Sequence, residues 1–570
     1  MVEEDKLEEL IRKHVLLNAI AHKGKADSKA VLSKVIAENV ELRSRIKGLL
    51  TLVEHIVKEV NSMSLEEQRS IIQVNYPEAL EKEEKEERVK VLPDLPKAEK
   101  GKVITRFPPE PSGYLHIGHA KAAIIDEEYA KMYNGKFILR FDDTNPEKAK
   151  LEFYEAIKED LNWLGVKPQI IENTSDDIEK LYDYARKLIE KGLAYVCICK
   201  PETIKSNRIK GIECNCRASK VEDNLEKWEK MFKVFSKNEA ILRFKGDMKS
   251  LNTAMRDPTL FRILDIPHPL KGYKYRVWPT YDFATPIKDS LDGVTHALRT
   301  KEYELRDELY FSILRALGLR EPILLEFSRL EMKGSILSKR KIRELIQQGI
   351  IESWDDPRLA TLRALRRRGY FPEAIREFIL SIGVSKVESE PTWDLINSIN
   401  RRIIDAKAKR LFFVSNPIKV KLESFPKERI SVNYHPDRDL GKREIKITQN
   451  LFFEIEDLEK FNLDDKFRLM GLGNVRLIQK EDLPIVKFEG FELDHRLKKI
   501  HWVNEDSLPF EVFVPLNLVQ DGEINRDSLK VIRGKVEDSI KKLNVGEIVQ
   551  FVRFGFCRIE ANNKAIFAHK

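Results

Sequence analysis

The stretch KVITRFPPEPSGYLHIGH (102–119) limits what this chain can fold into more than any other. A strand-like run, KVITRF, gives way to a proline-rich loop, and a helical pattern follows from His116 to about Met132. A second strand-like run, KFILRFDD (136–143), comes next. Strand, helix and strand at this spacing predict a parallel α/β sheet with a right-handed crossover. Ligands of such sheets bind beyond the carboxyl ends of the strands, which puts the loop 108–113 at a binding site. The helix opening there offers unbonded N–H groups and the positive end of its dipole to phosphate. His116 and His119 stand three residues apart on one face, and neutral imidazoles donate hydrogen bonds to phosphate oxygens without a permanent charge. Gly118 between them would let an adenosine lie flat against the helix. The tetrapeptide alone fits ordinary surface or metal-binding histidines better, so this assignment needs a second motif.

At 570 residues and 66.5 kDa the chain is too long for one core, and about four domains are expected. With 42% hydrophobic and 34% charged residues it can bury cores, which excludes a mostly disordered chain. The start, MVEEDKLEELIRKH, is acidic and amphipathic, and the chain has no apolar run of ~18 residues. A soluble cytoplasmic protein without a membrane partner is the expectation. A net charge of +8 is a mild excess that does not by itself establish a nucleic-acid partner.

Residues 1 to about 75 show helical periodicity, with Gly24 marking a turn and Ser28 a cap. The charged run EKEEKEERVK (81–90) and Pro93 and Pro96 read as a helix end and linker. The α/β alternation breaks over 197–275, an insertion, and returns at WPTYDFATPIKD up to about residue 325. From 340 to 415 the chain is helical and basic; after Asn416 short alternating strands predict barrels or a sandwich.

Four of the five cysteines form two C-x-C pairs, Cys197/Cys199 and Cys214/Cys216. Four thiolates satisfy a tetrahedral, structural Zn²⁺ site, with no open position for water. Four reduced cysteines or a redox pair would fit the same spacing. Cys557 reads as core.

The second motif is Ser338-Lys339-Arg340 in EFSRLEMKGSILSKRKIREL. A mobile cation suits phosphoryl chemistry because it can be delivered as charge develops on a leaving pyrophosphate. HIGH behind a proline-rich loop resembles the first signature of class I aminoacyl-tRNA synthetases. The SKR motif is similar to the variant of their glutamyl and glutaminyl branch, with Ile336 where the wider class has lysine. TRFPPEPSGYLHIGHAKAA together with RFDDTNP (140–146) resembles that branch specifically, and the resemblance runs from about residue 15 to the C-terminus. The β-rich end looks like the anticodon-binding barrels of the glutaminyl and of the archaeal and eukaryotic glutamyl enzymes, not the helical region of the bacterial glutamyl type.

The resemblance implies a multidomain chain: a helical N-terminal domain (1–88), a linker (89–100), and a class I Rossmann-type α/β catalytic domain in two halves (101–199 and 275–328). An acceptor-end insertion (200–274), a helical stem-contact region with the SKR loop (329–415) and anticodon-binding β-barrels (416–570) complete it. It implies ATP with Mg²⁺, L-glutamate and tRNA(Glu) as substrates, with tRNA(Gln) added if the source lacks a glutaminyl enzyme, and a monomer. By resemblance His116, His119 and Lys339 are catalytic, and Gly118, Ser338, Lys339, Arg340 and Leu330 line the ATP site. Arg106, Ser112, Asp142, Tyr281 and Arg299 then line the amino-acid site.

The residues themselves support such a pocket. Arg106, at the end of the first strand, is placed to meet a carboxylate with bidentate geometry, and Asp142 could accept an α-ammonium. Asp143 and Asn145 suit a turn equally well. Arg299, in GVTHALRTKEY, stands where the glutamyl branch resembles itself in having arginine and the glutaminyl branch is uncharged. A buried guanidinium gains a pair from a γ-carboxylate and is under-compensated by an amide. Thr285 departs from the larger polar residue of the relatives. Arg363, Arg366, Arg367, Arg368, Arg401 and Arg402 would line the inner side of tRNA, half of them as merely solvated faces. Tyr434, Arg443, Arg468 and Arg553 are the anticodon candidates, and the N-terminal domain would contact RNA or a protein. A glutaminyl-tRNA synthetase and a non-catalytic RNA-binding paralogue are the competing readings.

Overall fold

The computed structural model describes residues 2–21, 24–38, 46–76, 92–387 and 391–570. The chain divides into two compact units, Met1–Val91 and Leu92–Lys570. Among the described residues no helix is long and apolar enough to cross a membrane.

In the first unit, helices Val2–Ala21, Ser28–Glu38, Ile46–Asn61 and Leu65–Asn75 bury Ile11, Val15, Val31, Val53, Ile56 and Ile72 together. Asp27 is the cap of the second helix, since its Oδ1 accepts from Ala30 N–H at 2.8 Å, so the cap lies one residue before Ser28. Gly24 takes a left-handed φ of 94° at the turn, as expected. Ser64 and Glu67 form a reciprocal capping box on the fourth helix. The charged run 81–90 lies outside the described residues.

In the second unit, strands Ile104–Phe107, Lys136–Phe141 and Ile170–Asn173 form a parallel sheet. Strands His296–Thr300 and Ile323–Phe327 pair in parallel, and Thr295 N–H donates to the Ile104 carbonyl at 2.9 Å, joining them to the free edge of the first strand. The spatial order therefore reverses between 104–107 and 296–300, the switch point where doubly wound sheets bind ligands. Helix Ile117–Met132 packs Ala120, Ala123 and Ile124 against Phe137 and Leu139 in the main core.

The insertion is an antiparallel sheet of Ala194–Cys197, Ile241–Phe244, Thr259–Ile263 and Val277–Pro279 around Trp228, Phe261 and Trp278. It therefore draws a strand from each flank, 194–197 and 277–279, that the sequence reading placed in the catalytic halves. A strand signal does not tell which sheet will take the strand. Helices Lys339–Gln347, Leu362–Arg368, Pro372–Ile382 and Trp393–Asp405 follow.

The remainder builds two seven-stranded sheets and two hairpins. In the first sheet the edges are Lys409–Leu411 and Phe413–Ser415, one residue apart in sequence; in the second they are Lys499–Ile500 and Val503–Asn504, two apart. The two edges of each sheet are thus neighbours along the chain, the arrangement that a sheet curled into a barrel requires. The β region also begins at Lys409, before Asn416. Next to the small hairpin Val519–Gln520/Glu523–Ile524, Leu518 is buried against Ile336, Ile342 and Leu345, so a loop of the β region supports the SKR segment.

Candidate active site

The proline loop and the helix behind it build one wall. His116 caps the helix: its Nδ1 accepts from Gly118 N–H at 3.1 Å, and His119 Nδ1 accepts from His116 N–H at 3.2 Å. With both Nδ1 atoms accepting, each neutral ring carries its proton on Nε2 and keeps it as a donor. Burial, reinforced by Lys339 and Arg329, holds His116 down at about 3; burial, with His116 and the same cations, holds His119 well below the usual range. Both are therefore uncharged donors at physiological pH. Gly118 is demanded by packing: a Cβ there would stand 2.9 Å from His116 Cε1 and 3.4 Å from the carbonyl oxygen of buried Leu330.

Lys339 begins helix Lys339–Gln347, which Ser338 caps through Lys341 N–H. Its side chain crosses Gly113, where a Cβ would meet Lys339 Cδ at 2.9 Å, and its Nζ lies 3.4 Å from both the Glu110 carbonyl and Ser112 Oγ. The two motifs thus meet in space. Burial lowers Lys339 to about 8. Arg340 does not join them: its side chain is 90% exposed and pairs with Glu344. Arg343 does, donating to the Ser112 carbonyl; its position one helical turn after Lys339 is the sequence signal for it. Ser112 lies beside Lys339, its hydroxyl donating to Glu110 Oε2 at 2.7 Å. Glu110, which the sequence reading missed, also accepts from Lys148 at 3.2 Å.

Arg106 and Arg299 sit on the two strands that flank the switch point. Arg106 is fully buried, donating to both carboxylate oxygens of Asp289 at 3.0 and 3.1 Å and to the Leu298 carbonyl at 2.7 Å. The bidentate carboxylate expected of a ligand is thus supplied internally, and two of the five N–H donors remain. Asp289 also accepts from Arg140 at 2.5 Å and from the Tyr310 hydroxyl at 2.9 Å. Burial pushes Asp289 up, but Arg106 and Arg140 outweigh it and bring it to about 2. Nothing in the sequence marks Asp289 beyond its place on helix Tyr281–Leu291.

Arg299 is buried; it ion-pairs with Asp307 and lies over the Tyr310 ring, 5.3 Å from its centroid. Tyr281 opens its helix with its ring 5.0 Å from Tyr303; burial raises its hydroxyl, opposed by nearby Arg106 and Arg299. Asp142 is raised to about 6 by burial and by Asp143. Asp143 itself is neither ligand nor simple turn residue: fully buried, it accepts from Ser175 N–H, Ser175 Oγ and Tyr154 hydroxyl at 2.8, 2.7 and 2.8 Å. Asn145 is a turn residue, accepting from Glu147 N–H. Thr285 is buried in the same helix as Tyr281.

A family model described as tRNA synthetases class I (E and Q), catalytic domain, matches residues 102–406, and two anticodon-binding domain models of that family match 408–489 and 499–560. The chain belongs to this family. A protein of Nitrosopumilus maritimus called Glutamate–tRNA ligase is 46% identical over 100% of both chains. Its namesakes from Cenarchaeum symbiosum and Pyrococcus abyssi are each 44% identical, covering 98% of both chains and 99% and 100% of this chain and theirs, respectively. Among solved structures, a glutamate tRNA ligase from Elizabethkingia meningosepticum aligns with 53% of this chain and 70% of its own, at 21% identity and a TM-score of 0.40.

Outside the catalytic pocket of this class I synthetase, the four cysteines of the insertion converge. Cys197 and Cys214 Sγ atoms are 3.8 Å apart, as are those of Cys199 and Cys216, and all four lie within 4.8 Å of one another. A tetrahedron with Zn–S bonds of about 2.3 Å has S···S edges of about 3.8 Å, so the set fits zinc. Cys557 is buried in the β core, as expected. Beside the cluster, a cavity of about 740 Å³ is lined by Ile204, Lys205, Arg208, Arg262 and Thr280, with three cations and no carboxylate.

The arginines expected along tRNA separate by their partners. Arg368 is buried between Tyr370 and Trp393 and donates to the Ala568 carbonyl, a packing role. Arg363, Arg367 and Arg402 pair with Glu159, Glu560 and Glu377. Among the described residues Arg366 and Arg401 have no ion pair. Of the anticodon candidates, Tyr434 and Arg443 are buried, Arg443 against Glu537, whereas Arg553 is partly exposed and bonded to Asp457 at 2.8 Å. Arg468 is half-buried, bonded to Asn474 at 2.7 Å. The sequence reading passed over Phe491, 45% exposed with Lys427 Nζ 4.8 Å from its ring centroid, a surface suited to stacking.

Proposed function

We propose that this chain is a glutamate–tRNA ligase. It joins L-glutamate to ATP, with Mg²⁺ arriving on the nucleotide, and passes the glutamyl group to the terminal ribose of tRNA(Glu). The observation that carries the substrate choice is the buried guanidinium of Arg299 at the switch point, beside Tyr281 and Arg106. In the first step a glutamate α-carboxylate oxygen attacks the α-phosphorus of ATP, the bond to the bridging oxygen breaks, and pyrophosphate leaves. His116 and His119 donate Nε2–H to phosphate oxygens, and Lys339 balances the charge growing on pyrophosphate. In the second step a terminal ribose hydroxyl attacks the activated carbonyl and AMP leaves. Arg106 orients the amino acid with its two spare donors, Asp142 accepts from the α-ammonium and Arg299 binds the γ-carboxylate. The cavity by the cysteines, basic and partly apolar, suits the acceptor end.

Below about pH 8 Lys339 is protonated; above it the proton is lost and with it the cation. We expect kcat/KM for ATP in the free enzyme to fall as pH rises through about 8, and Lys339→Arg to move that limb upward. A profile flat from about pH 7 to about 9.5 contradicts the role.

The four cysteines would hold one structural Zn²⁺, tying the segment before helix Pro201–Lys210 to the segment after it. Elemental analysis is expected to give about one zinc per chain, and Cys214→Ser to lose it and lower Tm. Chain purified without chelator and free of zinc contradicts the assignment. Aminoacylation with labelled glutamate and with labelled glutamine, on transcripts of tRNA(Glu) and tRNA(Gln), tests the substrate and shows whether tRNA(Gln) is also charged.

A further inference from the structure

Every cation of the amino-acid pocket already owns a carboxylate. Arg106 holds Asp289 through two hydrogen bonds, and Asp289 is 0% exposed and bonded to two further groups. That pair cannot open. Arg299 holds Asp307 differently. The side chain of Asp307 is 28% exposed against 4% for Arg299, and the two form an ion pair between Oδ1 and Nη2. Nε and Nη2 of Arg299 and Oδ1 of Asp307, all buried, have no hydrogen-bond partner among the described residues. The pair is therefore held by charge without the two parallel hydrogen bonds that tie Arg106 to Asp289.

Asp307 also has somewhere to go. It is the first residue of helix Asp307–Leu317 and follows Lys301–Arg306, a 3₁₀ segment with no buried residue. A carboxylate at a helix N-terminus stays favourably placed after it turns to solvent.

We propose that Asp307 is a resident competitor for Arg299, holding the guanidinium in the empty enzyme and yielding it to the γ-carboxylate of glutamate on binding. This rests on the reading of Arg299 as the γ-carboxylate site. The exchange spares the free enzyme a buried unpaired charge, and every incoming amino acid must first displace the pair. The cost is the same whichever amino acid enters. Asp307 therefore sets affinity, while Arg299 alone sets the preference for glutamate over glutamine.

The test is steady-state aminoacylation by the full chain at saturating ATP and tRNA. Asp307→Asn is expected to lower KM for glutamate about tenfold, with kcat within about twofold and the glutamate-to-glutamine ratio of kcat/KM unchanged. Asp307→Glu, which restores a carboxylate, returns KM toward the starting value. An unchanged or raised KM in Asp307→Asn, with Arg299→Gln still abolishing the preference for glutamate, overturns the competitor and leaves the pocket assignment intact. If Arg299→Gln keeps that preference, the γ-carboxylate reading fails and the competitor falls with it.

Discussion

Arg299→Gln is expected to cut kcat/KM for glutamate by about 10²–10³-fold while leaving that for glutamine unchanged or higher. The guanidinium is buried, so a γ-carboxylate beside it would have given up its water and kept only this counter-charge. Removing one member of a buried pair costs ~3–5 kcal/mol, mostly because the other charge is stranded. A neutral amide carries no such liability, so the preference shifts toward glutamine. Melting of the purified variant separates this from loss of fold, because Asp307, the resident partner, reaches solvent and can stand unpaired. Preserved kcat/KM for glutamate in a folded variant contradicts the assignment.

Lys339→Ala is expected to slow adenylate formation by about 10²–10³-fold, with Arg340→Ala changing it by less than about fivefold. The contrast follows from geometry. Lys339 lies across Gly113 with its ammonium near Glu110 and Ser112, whereas Arg340 points into solvent and pairs with Glu344. Pre-steady-state formation of glutamyl-adenylate in the presence of tRNA, measured on both variants, checks it. Equal losses would mean that Arg340 swings inward when nucleotide binds.

Much of this was legible before any coordinates. The strand–loop–helix around His116 and the SKR segment pointed to the carboxyl end of a parallel sheet, because both features are local and each carries its own chemistry, and the structure brings the two together. Arg299 was legible only through the resemblance to the glutamyl branch, because nothing local in GVTHALRTKEY marks it. What sequence hid was the partnership of charges across long separations. Asp289, which neutralises Arg106 and Arg140, and Asp307, which engages Arg299, look like ordinary helix residues until the strands bring those arginines to them. Asp143 stands in a loop yet is a buried hub, since its acceptors are filled from Ser175 and Tyr154. Arg340 belongs to the SKR motif, yet its side chain points to solvent and pairs with Glu344. In the β region, aromatic and basic residues promised RNA contacts, but burial took Tyr434 and Arg443 into packing and left Phe491 outside. The sequence pattern showed strands there without showing that the two edges of each seven-stranded sheet would be neighbours along the chain.

The most direct check on the substrate assignment is a single competition experiment. The purified chain receives ATP, tRNA(Glu) transcript and equimolar differently labelled glutamate and glutamine, and the ester on the tRNA is identified. Glutamyl-tRNA alone is the expected product, and its formation should vanish without ATP. Glutaminyl-tRNA as the main product would contradict the role given to Arg299 and the substrate assignment built upon it.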